Sequence, residues 1–253
     1  MKASILRKIK IMAVSLYVTL YITILVLWQQ LTNTYDRLYG DKMLRWWSSH
    51  LLDAVDVKCL FNDPYNVRIE PGKRYIIMSN HSSLYDIPII IKTMPGSIRM
   101  LTKKELFKVP LWGKGMKAGE FIAIDRHDFE QAKRDLKAAR EKMESGIVLW
   151  IAPEGTRSRT GELGEFKKGG VIMAIESGAT IIPVGIVGAA EILQPKTWDF
   201  YLGKEVKVNV GKPIDASLYS LENKEELLDV LRASIIELCS KSKLKENILW
   251  QTL

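Results

Sequence analysis

The chain has 253 residues, 47% of them hydrophobic, enough for one substantial core and a small appendage. A net charge of +8 with a pI near 9.3 calls for an anionic partner, nucleic acid or an anionic membrane. Two distant cysteines, Cys59 and Cys239, and three histidines, His50, His81 and His127, give no support to a disulfide framework, a zinc site or a histidine-rich metal centre, and a reducing, cytosol-facing compartment fits.

Residues 1–10 carry Lys2, Arg7, Lys8 and Lys10 without an acid, and residues 11–35 carry no charge. The apolar run exceeds a signal-peptide core of about 7–15 residues, and no A-x-A-like cleavage site follows. It is long enough for a bilayer span, which takes about 20 residues. Residues 36–57 hold Asp36, Arg37, Asp41, Lys42, Arg45, Asp53 and Asp56, too many charges to bury in hydrocarbon. At helical spacing Met43, Leu44, Trp47, Leu51, Ala54 and Val55 share one face, and Lys42, Arg45, Ser49, Asp53 and Asp56 the other. With Trp28, Trp46 and Trp47 as interfacial anchors, residues 1–57 are expected to form a two-helix membrane hairpin dipping into one leaflet, its second helix near the interface. A single-span anchor is the alternative.

From residue 58 to residue 253 the composition is that of a globular domain. Apolar runs at 74–79, 98–101, 121–124, 147–152, 180–187 and 206–210 read as strands, several continuous enough to be central. Helical patterns lie near 84–92, 104–118, 128–145, 169–177 and 222–240. The alternation predicts an α/β layered domain with a mostly parallel or mixed sheet flanked by helices.

Four short blocks carry chemistry. His81 follows the first apolar run and so sits at a strand's C-terminal end, where α/β sites concentrate. Asp86 lies five residues on, about 140° away on a regular helix, so the segment must bend for the two to meet. Ser82 or Ser83 capping the next helix would make that bend. The carboxylate would then hold one imidazole nitrogen and leave the other as a base, triad logic without the serine; a turn histidine bonded to backbone is the alternative. Glu154-Gly155-Thr156-Arg157-Ser158 also follows a strong apolar run and reads either as an anion site built on the Arg157 fork or as a solvated basic loop. Residues 119–126 end in Asp125-Arg126, an anion site or a structural salt bridge, while Lys103 and Lys104 add charge or merely start a helix. Ile181-Ile182-Pro183-Val184 forms a strand-like wall.

In this order and at these separations, the four blocks resemble those of the glycerolipid acyltransferases, most closely the lysophosphatidic acid branch. Lys103-Lys104-Glu105-Leu106 before the second block and Phe166-Lys167-Lys168-Gly169 after the third extend the likeness, which covers residues 74–187. Ser82 stands where many relatives have Gln. The resemblance implies that His81 is the general base for the sn-2 hydroxyl and that Asp86 orients it. It implies that Arg126, Arg157 and one or both of Lys103 and Lys104 hold the acceptor phosphate, that Glu154, Gly155 and Thr156 shape the glycerol-phosphate site, and that residues 181–184 line an acyl or donor pocket. Acyl-coenzyme A or acyl carrier protein would be the donor, with no cofactor, metal or nucleic acid. Cytosolic donors and a basic N-terminus both belong on the cytoplasmic face, which one crossing cannot satisfy and a monotopic hairpin can. No Gly-x-Ser-x-Gly elbow is present, which disfavours a lipid hydrolase and an acyl-enzyme. Gly113, Gly115 and Gly119 precede a strand, whereas a dinucleotide loop opens a helix. A basic adaptor leaves the His81/Asp86 pair without a purpose, and an acyltransferase for another lysolipid keeps every motif.

Overall fold

The computed structural model describes residues 1–124, 129–158 and 162–240. Its strands are β1 (Lys58–Asn62), β2 (Tyr75–Ser79), β3 (Ser97–Lys103), β4 (Ile122–Ile124), β5 (Ile147–Ile151), β6 (Thr180–Val187), β7 (Glu205–Val210) and β8 (Ile214–Asp215). Among the described residues they make one mixed sheet in the order β1-β7-β6-β2-β5-β3-β4, with β8 paired to β6. The run from β6 to β4 is parallel, β7 and β8 join β6 antiparallel, and β1 joins β7 parallel. The C-terminal ends of β2, β3, β4 and β5 therefore share one edge of the sheet.

Helices α3 (Asp86–Thr93), α5 (Phe129–Glu144), α6 (Gly169–Ser177) and α7 (Lys224–Ser240) cover the two faces, after α1 (Ile5–Leu31) and α2 (Arg37–Asp53) and with α4 (Trp112–Ala118) near the β4 edge. Alternation along the central strands splits the core into two layers. Ile77, Val148, Trp150, Ile182 and Val184 pack with Ile89 and Ile90 of α3 and Leu52 of α2. Ile76, Met78, Leu149 and Ile181 pack with Met143, Val171, Leu231 and Ile235 of α5, α6 and α7. At about 25 cal/mol per Å² this double-sided burial is the main stabilising contribution.

Residues 181–184 lie in this core: Ile181, Ile182 and Val184 are fully buried in β6 and are not among the residues lining the cavity of about 490 Å³ that abuts the His81–Asp86 loop. Pro183 is tolerated in a central strand because its carbonyl, accepting from Gly211 N at 2.8 Å, points to the side where β6 passes from β8 to β7. Its missing amide points the same way and breaks no bond to β2.

Ser4 and Asp36 cap α1 and α2; Asp36 accepts from the Leu38 and Tyr39 amides at 3.2 and 3.1 Å. With 27 residues and a mean hydropathy of 2.2, α1 is the one helix among the described residues long and apolar enough to cross a membrane. Trp47 Nε1 of α2 donates to Thr19 Oγ1 of α1 at 3.0 Å. The face of α2 that the sequence marks as polar is not simply solvated. Arg45 reaches the C-terminal end of α3, donating to the carbonyls of Ile91, Lys92 and Met94 at 2.9, 3.1 and 2.9 Å, where a cation meets orphaned helix carbonyls. Asp41 accepts from Arg99 Nη1 at 2.7 Å, and Arg99 is only 1% exposed. Although α2 precedes residue 58, it is therefore bonded into the α/β layer.

Other departures from the sequence reading are local. The helix expected over 104–118 is a 3-10 turn, Lys104–Lys108, followed by α4. The residue before a proline is pushed out of helical geometry, and Val109 before Pro110 is extended, with φ −65° and ψ 122°. Strands β1 and β8 were not expected: β1 is half-exposed, and β8 is two residues long.

Candidate active site

β2 ends at Ser79 and delivers Asn80 and His81 to the sheet edge. The Asn80 side chain donates to Ile186 O at 2.8 Å and accepts from Ile186 N at 2.7 Å, fastening the loop to β6 in place of a ladder bond. Beyond His81 the chain turns through Ser82–Tyr85 and enters α3 at Asp86, which is fully buried. Asp86 Oδ2 accepts three bonds: from His81 Nδ1 at 2.8 Å, Ser82 N at 2.7 Å and Ser83 N at 2.9 Å. The bend is thus made by the carboxylate gathering amides, not by a serine cap. Ser83 Oγ instead donates to Leu193 O at 2.9 Å.

An oxygen already taking two amide protons can only accept from the imidazole, so Nδ1 donates, and in the neutral ring the lone pair is on Nε2. Trp150 stands perpendicular to the imidazole, centroids 5.8 Å apart, with Nε1 donating to Ser79 Oγ at 2.9 Å. Together these contacts fix both the tautomer and the ring plane of His81, the arrangement a general base requires.

β5 supplies the adjacent loop. Gly155 adopts φ +72°, a left-handed conformation that glycine takes without strain and that turns the chain back across the edge. Ser158 N donates to His81 O at 2.8 Å, so the 154–158 turn is tied to the His81 backbone. Glu154, 5% exposed, accepts from His81 N at 2.8 Å and from Gly164 N at 2.7 Å. Its carboxylate is thus a brace between three loops, with one oxygen on each amide. Thr156 is exposed; Arg157 is half-exposed, and its guanidinium has no hydrogen bond or ion pair among the described residues.

Lys103 ends β3 in register with Ile124 of β4, on the same edge, and Lys104 opens the 3-10 turn; both are exposed. Arg126 lies outside the described residues. The chain leading to it is anchored: Glu120, at φ +66°, pairs with Arg37 of α2 through two 2.7 Å bonds. Burial works against its charge, yet Arg37 and Lys142 hold the Glu120 carboxyl below its ordinary value.

A cavity of about 490 Å³ abuts the His81–Asp86 loop through Leu84 and Tyr85. It runs between the N-terminal helices and the sheet domain, lined by Thr19, Val26, Trp47 and Phe121 among others. The sequence reading missed it because its walls come from four helices, β3 and the 193–200 segment, which are far apart in sequence. It also assigned no role to Asn80 or Trp150, although an asparagine at a strand end is a recognisable signal for side-chain-to-backbone pairing.

Glutamine at position 154 keeps the volume but offers one acceptor where two amides point. Glu154→Gln is expected to destabilise the fold by about 1–3 kcal/mol. It should lower kcat while leaving KM for the acceptor nearly unchanged, since His81 is displaced and no substrate contact is lost; a rise confined to KM would place Glu154 on the substrate instead.

A family model described as acyltransferase matches residues 63–187. The chain is 35% identical over 133 residues to a 1-acyl-sn-glycerol-3-phosphate acyltransferase of Helicobacter pylori, covering 52% of this chain and 56% of that one. It is 30% identical over 190 residues to the protein of that name in Saccharomyces cerevisiae, covering 74% and 61%. A chloroplastic protein of that name in Arabidopsis thaliana is 30% identical over 142 residues, 56% and 40%. The chain spans about half the length of these curated relatives. A solved structure, the 1-acyl-sn-glycerophosphate acyltransferase of Thermotoga maritima, superposes with a TM-score of 0.75 at 26% identity over 95% of this chain and 99% of that one.

Proposed function

We propose that this chain, whose residues 63–187 match the acyltransferase family model, belongs to that family and moves a fatty acyl group from a thioester, acyl-coenzyme A or acyl carrier protein, to the sn-2 hydroxyl of lysophosphatidic acid, giving phosphatidic acid for phospholipid synthesis. The observation that carries this reading is the His81 Nδ1–Asp86 Oδ2 bond of 2.8 Å at the sheet edge, with Arg157 on the loop tied to His81. His81 Nε2 takes the hydroxyl proton as the oxygen attacks the thioester carbonyl, and Asp86 stabilises the imidazolium. The tetrahedral intermediate collapses with cleavage of the C–S bond, and the imidazolium returns its proton to the thiolate. No acyl-enzyme forms. Arg157, Lys103, Lys104 and Arg126 are the cations assigned to the acceptor phosphate, and the apolar cavity beside Leu84 suits a fatty chain.

Membrane residence completes the proposal. With only 17% of its apolar window buried, α1 leaves most of its side chains for lipid, and α1 and α2 together dip into the cytoplasmic leaflet. Because Met43, Leu44, Trp47 and Leu51 of α2 line the cavity, the pair would also wall a chain-binding space continuous with the bilayer. The test is acyl transfer by purified protein in liposomes, offering lysophosphatidic acid and other lysolipids with both donor types. Phosphatidic acid formed from lysophosphatidic acid supports the reading. Transfer to a different lysolipid replaces the acceptor, and fatty acid release without transfer replaces the reaction with hydrolysis.

A further inference from the structure

Between the 3-10 turn and α4 the backbone makes a tight tip at Leu111. Trp112 N donates to Pro110 O at 2.7 Å, closing a three-residue turn, and Leu111 sits at φ +63°, ψ −57°, a strained conformation for a residue with a side chain. The tip is braced from within: Gly113 N donates to Val109 O at 2.8 Å, and a Cβ on Gly113 would lie 2.1 Å from Phe107 O. This strain holds apolar groups outward, since Val109, Leu111 and Trp112 are 40%, 40% and 38% exposed and Pro110 between them is exposed too. Around them stand the exposed lysines 103, 104, 108, 114 and 117, with Glu105 as the one exposed acid between residues 103 and 117. An apolar tip within a basic collar matches the interface of an anionic bilayer, acyl region at the tip and phosphates at the collar.

The tip is also continuous with the lipid-facing helix. α4 packs on α1, with Thr23 Cγ2 lying 2.6 Å from where a Cβ on Gly115 would be, and Gln30 Nε2 donates to Ala118 O at 3.3 Å. We propose that residues 108–114 form a second membrane contact, separate in sequence from α1 and α2, which inserts Val109, Leu111 and Trp112 into an anionic leaflet. An acidic carrier protein would also meet the lysines, but it gives no reason for four consecutive exposed apolar residues at the tip. The inference rests on the membrane association proposed above. Its consequence is that the β3 end bearing Lys103 is held at the headgroup level, where an acceptor phosphate resides.

A nitroxide at Leu111→Cys, in full-length protein carrying Cys59→Ala and Cys239→Ala, measures depth in phosphatidylcholine vesicles containing phosphatidylglycerol. Val109→Cys serves as a second position. A label at Leu218→Cys is the aqueous reference, because Leu218 is 79% exposed and follows β8, which pairs with β6 at Thr180, the end opposite the site. The expected result is loss of collision with an aqueous nickel reagent and gain of collision with oxygen at 109 and 111, but not at 218. Each lysine changed to glutamine among 108 and 114 should weaken the anionic-lipid dependence of that depth about fivefold. Nickel access at 109 and 111 equal to that at 218, on vesicle-bound protein, overturns the inference. So does protection that appears only on adding acyl carrier protein without vesicles, which assigns the patch to a protein. Failure of the whole chain to bind vesicles removes the membrane reading and this one with it. A buried tip on a protein inactive toward every lysolipid leaves this inference standing and removes the catalytic one.

Discussion

Alanine at His81 is expected to lower kcat for acyl transfer by about 100- to 10,000-fold, the contribution of a positioned general base. KM for either substrate should change little. The fold should survive, because Asp86 keeps the Ser82 and Ser83 amides and Glu154 keeps the residue-81 amide. Asp86→Asn separates charge from geometry. Asp86 Oδ2 holds all three donors, whereas Oδ1 is buried without a partner among the described residues. An asparagine can therefore place its oxygen at the three donors and its amino group at the Oδ1 position, preserving the Nδ1–H tautomer while losing the charge that stabilises the imidazolium. The expected outcome is a drop in kcat smaller than that of His81→Ala, together with about 1–3 kcal/mol lost from stability for the unpaired amino group. The checks are steady-state rates in liposomes and thermal unfolding followed by circular dichroism. Near-wild-type turnover from a folded His81→Ala would remove His81 as the base.

The central strands were legible from local pattern, whereas the spacing of His81 and Asp86 left a turn histidine open and only the resemblance paired them. β6 was read to its end residues since eight consecutive residues from Thr180 carry strand composition between two turns. What the sequence could not supply was tertiary. The sequence marked a polar face on α2 but not its partners, and Arg45 finds the carbonyls of a helix more than forty positions away. The resemblance placed Glu154 at the glycerol-phosphate site, yet its two oxygens are taken by His81 N and Gly164 N. The resemblance assigned residues 181–184 to a pocket wall. Depth in the sheet, which no window of sequence reports, makes them core instead.

Arg157 is expected to govern the acceptor and not the donor. Its backbone turn is tied to His81 through the Ser158 amide, so Arg157 springs from the chain beside the base, and its guanidinium has no partner among the described residues to compete for it. Hydrogen bonds to charged groups contribute about 1.5–3 kcal/mol each, so a bidentate fork on the phosphate implies that Arg157→Ala lowers kcat/KM for lysophosphatidic acid by about 100-fold or more. KM for the acyl donor should stay within a small factor. Arg157→Lys restores charge without the planar fork and should recover only part of the loss. The same variant offered a monoacylglycerol, which lacks the phosphate, should match the wild type at whatever low rate that acceptor supports. Equal losses for the phosphate-bearing and phosphate-free acceptors would show that Arg157 shapes the loop and not the ligand, and would return the phosphate site to Lys103, Lys104 and Arg126.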